Sequence, residues 1–293
     1  MGAQTTHTLI NPKNGNLAFK LFAFEEDGHF DHVQRNNYFS LIWITEGTGR
    51  VKADFSEYEL NPDCLYAFSP YQPFMFASTG NLKGTALQFH PDFYCIHLHR
   101  KEIDCNGVLF NNIYNPPFTF LDHGASSALS KLMEQMKMEM QIPAMAQQEL
   151  LVSYLKIFLI TVSRLKAEQE SQATLLTEDR KEPFVLQKLK QAIEKDFKSK
   201  HSAGDYARSL NISAKALGRI TKTHFNKTLT ELISERIIIE AKRELYLTNK
   251  AIKEIAYELG YDDEYYFSRF FKSNADVSPQ VYRDTVGAGR GIA

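Results

Sequence analysis

The most constraining feature of this chain is a pattern that occurs twice. In DYARSLNISAKALGRITKTHF, residues 205–225, a short run with Tyr206, Ala207 and Leu210 on one helical face leads into the tight turn NIS. A second run follows, in which Leu217, Ile220 and Phe225 would face inward and Lys215, Arg219 and Lys222 outward. Ser202 and Asp205 resemble a capping box with Asp in place of the usual Glu, and Ser213 is placed to cap the second run. About fifty residues later the layout returns. AIKEIAYELG offers Ile252, Ile255, Ala256 and Leu259 as an inward stripe, Gly260 supplies a permissive turn residue, and DDEYYFSRFFK opens another helix. Between the two, ELISERIIIEAKRELYL places Ile233, Ile237, Ala241 and Leu245 four residues apart, as a connecting helix that holds the units at a fixed separation. Two short helices joined by a tight turn, the second with outward cations, form the layout that lets a helix enter the DNA major groove. If both second helices enter successive grooves on one face of a duplex, their centres must lie about 34 Å apart.

Charge supports a polyanion partner for the same region. From Pro183 onward there are 19 Lys and Arg against 14 Asp and Glu, a net of +5, while the rest of the chain carries 15 against 21, a net of −6. The whole chain, at −1, hides this asymmetry. With 43% hydrophobic and 24% charged residues over 293 positions, it has the composition of a globular protein of two ordinary domains. The longest apolar run, LLVSYLKIFLITV, is broken by Ser153, Tyr154 and Lys156 and is too short to span a bilayer. MGAQTTHTLINPK lacks a signal-peptide pattern, so no membrane association and a cytoplasmic location are expected. Cys64, Cys95 and Cys105 are too few and too irregular for a disulfide framework or a paired zinc site.

The first hundred residues read as strands. LAFKLFAFEE, YFSLIWITE, GRVKADF, CLYAFSP, PFMFAS and KGTALQFH are short aromatic and β-branched runs separated by EGTG, LNPD, SPYQP and STGN, a spacing that suggests a barrel or sandwich. Near residue 125 the pattern turns helical: Leu129, Leu132, Met133 and Met136 share a face, and AQQELLVSYLKIFLITVSRLKAEQ is a second, strongly apolar helix, with Pro143 dividing the two. A helix apolar around most of its circumference needs cover on two sides, either within its own domain or from a second copy of the chain. EQESQATLLTEDRKE is polar and weakly periodic, as expected of an interdomain linker, and PFVLQKLKQAIEKDF resumes a helix with Val185, Leu189, Ile193 and Phe197 on one side. The expected divisions are 1–169, a linker over 170–182, and a helical domain over 183–293 with helix-turn-helix units near 203–224 and 252–273.

From Ser202 to Arg283 the chain resembles the AraC/XylS family of bacterial transcription regulators, on IKEIAYELGYDDEYYFSRFFK followed by VSPQVYR. The resemblance implies an α+β protein of two domains. An N-terminal cupin-like β-barrel with a helical hairpin would bind an effector and dimerise, and a C-terminal all-α domain of seven helices would carry two recognition helices. By position, Lys215, Gly218 and Arg219 on the first recognition helix, and Glu264, Tyr265, Tyr266 and Arg269 on the second, occupy the family's DNA-facing positions. A guanidinium can bond two guanine acceptors at once, so Arg219 is the leading base contact, whereas Lys222 and Lys272 are assigned to phosphates. Gly218 stands where a long polar side chain is more usual, which removes a reading group and opens the backbone to the groove. Glu264 can accept from a cytosine amino group, Tyr265 or Tyr266 can meet a thymine methyl or the backbone, and Asp262 and Asp263 read as helix caps.

Other chemistry has weaker support. Cys95, His97 and His99 could share one face only if HPDFYCIHLHRKEIDC, which also holds His90 and Cys105, were a strand; a helix starting at Pro91 is preferred and brings together only Cys95 and His99. His29 and His32 lack a following carboxylate at metal-site spacing. There is no G-x-S-x-G, phosphate-binding Gly loop or H-E-x-x-H, so neither catalytic residues nor a cofactor nor a metal is assigned. Trp43, Tyr66 and Phe68 are candidates to line an effector pocket, with ordinary barrel core as the alternative. The expected partners are double-stranded promoter or operator DNA, a small-molecule effector, a second copy of the chain through the 125–169 helices, and RNA polymerase. The competing reading is a cupin-type metal-dependent enzyme fused to a DNA-binding module.

Overall fold

The computed structural model of the chain describes residues 6–12, 15–25, 27–96, 107–141, 144–176 and 184–286. It divides into two compact units, one of Met1–Ala53, Tyr58–Asn112 and Pro117–Gln169, the other of Asp54–Glu57, Ile113–Pro116 and Glu170–Ala293.

Nine described strands precede the α-helices: β1 (Thr6–Ile10), β2 (Leu17–Phe24), β3 (Phe39–Glu46), β4 (Gly49–Ala53), β5 (Ser56–Leu60), β6 (Cys64–Phe68), β7 (Phe74–Ser78), β8 (Lys83–Phe89) and β9 (Phe118–Phe120). They form a six-stranded sheet in the order β1-β2-β8-β3-β6-β9 and a three-stranded sheet in the order β5-β4-β7, with antiparallel pairing. The three strands missing from the sequence reading, β1, β5 and β9, are all at sheet edges, where one side of the strand is unpaired and the apolar alternation is weak.

Strand alternation sorts the apolar residues into two layers. Ile42, Ile44, Tyr66, Phe68 and Ala86 of the large sheet meet Val51, Ala53, Phe74 and Phe76 of the small one, in a core filled with aromatic rings. On the opposite face of the large sheet, Phe39, Leu41, Trp43, Leu65 and Leu87 pack on the helices α1 (His123–Gln141) and α2 (Gln147–Leu176). α1 buries Leu129, Met133 and Met136 as its spacing implies, and α2 buries Leu151, Leu155, Phe158, Leu159 and Val162. α2 continues to Leu176, so residues 170–176, expected as linker, are helical. The break at Pro143 and linker residues 177–182 lie outside the described residues. No described helix is long and apolar enough to cross a membrane.

The second unit holds seven described helices: α3 (Phe184–Asp196), α4 (Ala203–Ser209), α5 (Ala214–Phe225), α6 (Leu229–Leu247), α7 (Ile252–Glu258), α8 (Glu264–Ala275) and α9 (Pro279–Val286). α6 is the expected connecting helix, started by a full capping box between Thr228 and Glu231. Ile233, Ile237, Ala241 and Leu245 are buried as their spacing predicts, but so are Glu235, Glu240, Lys242 and Glu244, because other parts of the unit cover α6 nearly all round. Buried charges must be paired. Glu240 accepts from Arg243 Nη2 at 2.9 Å and Arg236 Nη1 at 3.3 Å, and Arg236 Nε reaches Glu194 of α3 at 2.8 Å. Glu244 accepts from Arg243 at 3.0 Å and from Lys250 at 3.0 Å, and Lys250 also donates to Glu258 of α7 at 2.6 Å. Although burial works against the Glu240 carboxylate, Arg243 and Arg236 outweigh it and hold its pKa below the usual range.

At Lys242 burial prevails. Burial pulls its pKa down to about 8, against the attraction of Asp54 and Asp276, and its ammonium lies 5.8 Å from the centre of the Tyr282 ring. A lysine whose folded pKa is depressed favours the native state above its unfolded pKa near 10.5, and that benefit is lost as pH falls through about 8. Lys242→Met removes this titration, so the rise in stability from pH 7 to pH 9.5 is expected to be smaller in the variant than in the wild type. Urea unfolding at the two pH values measures the difference.

Candidate nucleic-acid interface

The two helix-turn-helix units are built in the same register. The first recognition helix, α5, starts at the N-cap Ser213 and ends at Asn226 in the left-handed region, with φ 55°. The second, α8, starts at Asp263 and ends at Asp276, with φ 60°. Each of these pairs is fifty positions apart. Each recognition helix buries three residues at i, i+4 and i+8: Leu217, Thr221 and Phe225 in α5, and Phe267, Phe271 and Ala275 in α8. Thr221 replaces the expected Ile220 in the α5 stripe. Its hydroxyl donates to the Gly218 carbonyl at 3.0 Å, so a polar side chain is accommodated in the core, while Ile220 is only half-buried.

The turns differ. Leu210 is followed by Ser213 after two residues, whereas Leu259 is followed by Asp263 after three, so the second turn is one residue longer. Asn211 takes a φ of 54° in the first turn, and Gly260 takes 80° in the second. Gly260 also lies against the chain after α3: a Cβ placed on it would collide with the Lys198 carbonyl oxygen.

The start of α5 is capped by a neutral hydroxyl, with Ser213 Oγ accepting from Ala216 N–H at 3.2 Å. The start of α8 is capped by a carboxylate, with Asp263 accepting from Tyr265 N–H at 2.9 Å and Tyr266 N–H at 3.2 Å; Asp262 lies in the turn. The capping role expected of the acidic pair thus falls to Asp263. α4 begins at the Ser202 cap, and α7 begins at Ala251, which has no side-chain acceptor and keeps only the reciprocal bond from its N–H to Glu254 at 2.7 Å.

Of the residues assigned to DNA, Lys215, Arg219 and Lys222 are exposed on α5, and Tyr265, Tyr266, Arg269 and Lys272 are exposed on α8. Glu264 and Gly218 are half-buried, and a Cβ on Gly218 would meet nothing within 4 Å. Lys222 donates to the Asn226 carbonyl at 3.1 Å, closing the C-terminus of its own helix. From its cap to its end α5 carries Lys215, Arg219 and Lys222 and no acid, whereas α8 and its turn carry Asp262, Asp263 and Glu264 beside Arg269 and Lys272.

In the first unit the effector candidates separate. Tyr66 and Phe68 face the core between the sheets and Trp43 faces the helices, since odd and even positions of paired strands point to opposite sides. The Tyr66 hydroxyl accepts from Asn61 N–H at 3.2 Å and reaches the Glu59 carbonyl at 3.4 Å, and burial raises its pKa. Residues 91–96 form turns rather than the expected helix, with Phe93 N–H and Tyr94 N–H both donating to the His90 carbonyl. His90 Nδ1 accepts from Asp92 N–H at 3.1 Å and Cys95 is buried; His97, His99 and Cys105 lie outside the described residues. His29 packs on the rings of Phe22 and Phe24, and His32 Nδ1 lies 2.8 Å from Asp31. Among the described residues no group of three or more His, Cys, Asp or Glu could hold a metal ion.

Comparison with known proteins agrees with this division. An AraC-like ligand binding domain matches residues 18–154, and a helix-turn-helix domain matches residues 206–285. The chain belongs to the AraC/XylS family of transcription regulators. It is 27% identical to the HTH-type transcriptional activator Btr of Bacillus subtilis over 249 residues, 82% of this chain and 43% of Btr. It is 31% identical to the transcriptional activator AarP of Providencia stuartii over 91 residues, 31% of this chain and 67% of AarP. It is 34% identical to the raffinose operon regulatory protein RafR of Pediococcus pentosaceus over 83 residues, 28% of this chain and 30% of RafR. The chain thus spans less than half the length of Btr and RafR. All three are regulators of transcription, and none supports the metalloenzyme alternative.

The two recognition-unit glycines give an opposed pair of outcomes. Gly260→Ala forces a positive φ on a side chain that collides with a backbone carbonyl, and is expected to destabilise by more than about 1 kcal/mol. Gly218→Ala enters open space on a helix and is expected to stabilise by about 0.5–1 kcal/mol. Chemical denaturation of the two variants, followed by circular dichroism at 222 nm, measures both.

Proposed function

We propose that the chain regulates transcription by binding promoter or operator DNA sequence-specifically through α5 and α8, with its N-terminal unit taking a small-molecule effector and pairing two copies. The observation that carries this reading is the repetition of the helix-turn-helix layout on either side of α6, with recognition helices whose caps and left-handed ends lie fifty positions apart. A single exposed basic helix has many uses. Two in the same register, joined by a buried helix, suit the successive major grooves of one duplex.

In this reading Arg219 contacts a base, Lys215, Lys222 and Lys272 meet phosphates, and Gly218 lets the α5 backbone approach the groove. Arg269 and Glu264 add polar contacts from α8. Tyr66 and Phe68 face the aromatic core between the sheets, which is the side proposed for an apolar or planar effector; Trp43 supports that sheet from its helix-packed face. An effector acts by binding one arrangement of the protein better than another. Pairing is assigned to the 125–169 helices because α2 leaves Leu150 and Ile157, seven residues apart, 40% and 50% exposed with the half-buried Tyr154 between them. RNA polymerase is proposed as a further partner at the promoter.

Arg219→Ala is expected to weaken binding to a selected duplex by about 1–3 kcal/mol while leaving nonspecific binding nearly intact. Titration of selected and scrambled duplexes in parallel tests this: equal loss on both would make Arg219 a phosphate contact, and equal wild-type affinity for both would remove the regulator reading. Ile157→Glu is expected to convert a dimer to a monomer in sedimentation velocity. A wild-type monomer at all concentrations would remove the pairing proposal.

A further inference from the structure

We infer that the two helix-turn-helix units read their half-sites by different chemistry, and that α8 selects thymine by contacting its 5-methyl group with the rings of Tyr265 and Tyr266. The inference rests on the DNA-binding reading above and goes beyond it in naming the base and the group recognised.

The argument starts from what α8 cannot do well. Of the free N–H groups in its first turn, those of Tyr265 and Tyr266 are taken by the Asp263 carboxylate, so the helix start has less to offer a phosphate. Asp262, Asp263 and Glu264 form three consecutive carboxylates at the same end and repel the DNA backbone. α5 is less burdened: its cap is a neutral serine that takes one N–H group, that of Ala216, no acid stands beside it, and Lys215 and Ala216 stand where α8 has Tyr265 and Tyr266.

What the first turn of α8 presents instead is apolar. Tyr265 is 77% exposed and Tyr266 is 58% exposed. The Tyr266 ring is braced from behind by Tyr261, with ring centres 5.9 Å apart. Tyr261 is itself buried against His201 at 4.7 Å and against Phe267 and Phe270, both at 5.3 Å. The core therefore helps set one ring before any partner arrives, which lowers the entropic cost of using it. Along the base edges of the major groove, the apolar group on offer is the thymine methyl. Arg269 lies one turn beyond Tyr265 on the same side of the helix, in position for a polar contact to a neighbouring base pair.

The test uses the full chain and a duplex selected from a randomised pool, with each thymine replaced by uracil one at a time. Uracil keeps every hydrogen-bonding group and loses only the methyl. Affinity is expected to fall about fourfold for each contacted methyl removed, in one half-site and not the other. Tyr265→Ala or Tyr266→Ala should abolish that sensitivity, while Tyr265→Phe and Tyr266→Phe should keep it and leave the salt dependence of binding unchanged. Uracil without effect in either half-site, on a duplex that is still bound selectively, overturns the inference and leaves the regulator reading standing. So does a loss in both Phe variants equal to that in the Ala variants, with a shallower salt dependence, which would place the hydroxyls on phosphates. Failure to select any duplex would overturn the DNA-binding reading itself.

Discussion

The geometry of the helix-turn-helix unit depends on one helix, α6, being buried almost all round while carrying charge. Its apolar line, Ile233, Ile237, Ala241 and Leu245, would by itself allow α6 to rotate or slide a little against its neighbours. The carboxylates do not allow it. Glu240 sits between Arg236 and Arg243, Arg236 reaches back to Glu194 of α3, and Glu244 reaches forward through Lys250 to Glu258 of α7. A buried ion network is a poor source of net stability, but it penalises every arrangement that leaves one of its charges unpaired. Here that penalty applies to the buried Glu240 and Glu244 and favours the register in which Arg236, Arg243 and Lys250 reach them.

On that frame the two recognition helices are equivalent in backbone and different in surface. Both end in a left-handed residue, and both bury side chains four and eight residues apart. Their starts diverge, because a neutral cap keeps α5 attractive to phosphate whereas the Asp263 cap and its acidic neighbours do not. Duplication of a fold element thus gives two surfaces of distinct electrostatic character at a fixed separation.

The first unit follows a different rule. Its large sheet is covered on both faces, by helices on one side and by the small sheet on the other, so nearly every position of β3 and β6 is buried whichever way it points. In such strands hydrophobicity does not reveal the facing direction. That is why Trp43, Tyr66 and Phe68, equally apolar in sequence, fall on two faces of the sheet.

The sequence alone determined the features with local causes. The repeated stripes and caps of the second unit, the spacing of Ile233, Ile237, Ala241 and Leu245, and the central strands were legible because a period of 3.6 or 2 and a capping side chain act within a few residues. The edge strands β1, β5 and β9 were not, since few of their residues are buried and their apolar pattern is faint, whereas β7, also at an edge, was legible from its Phe and Met run. Among the candidate site residues, the positions on α5 and α8 were legible from the repeated motif; the turn at residues 91–96 was not, because Pro91 suits a helix start and a turn equally. Tertiary structure alone decided the burial of Thr221 in place of Ile220, the sheet face of Trp43, and the burial of Glu240 and Lys242. Each of these depends on what covers a residue from elsewhere in the chain, and a local pattern carries no record of that.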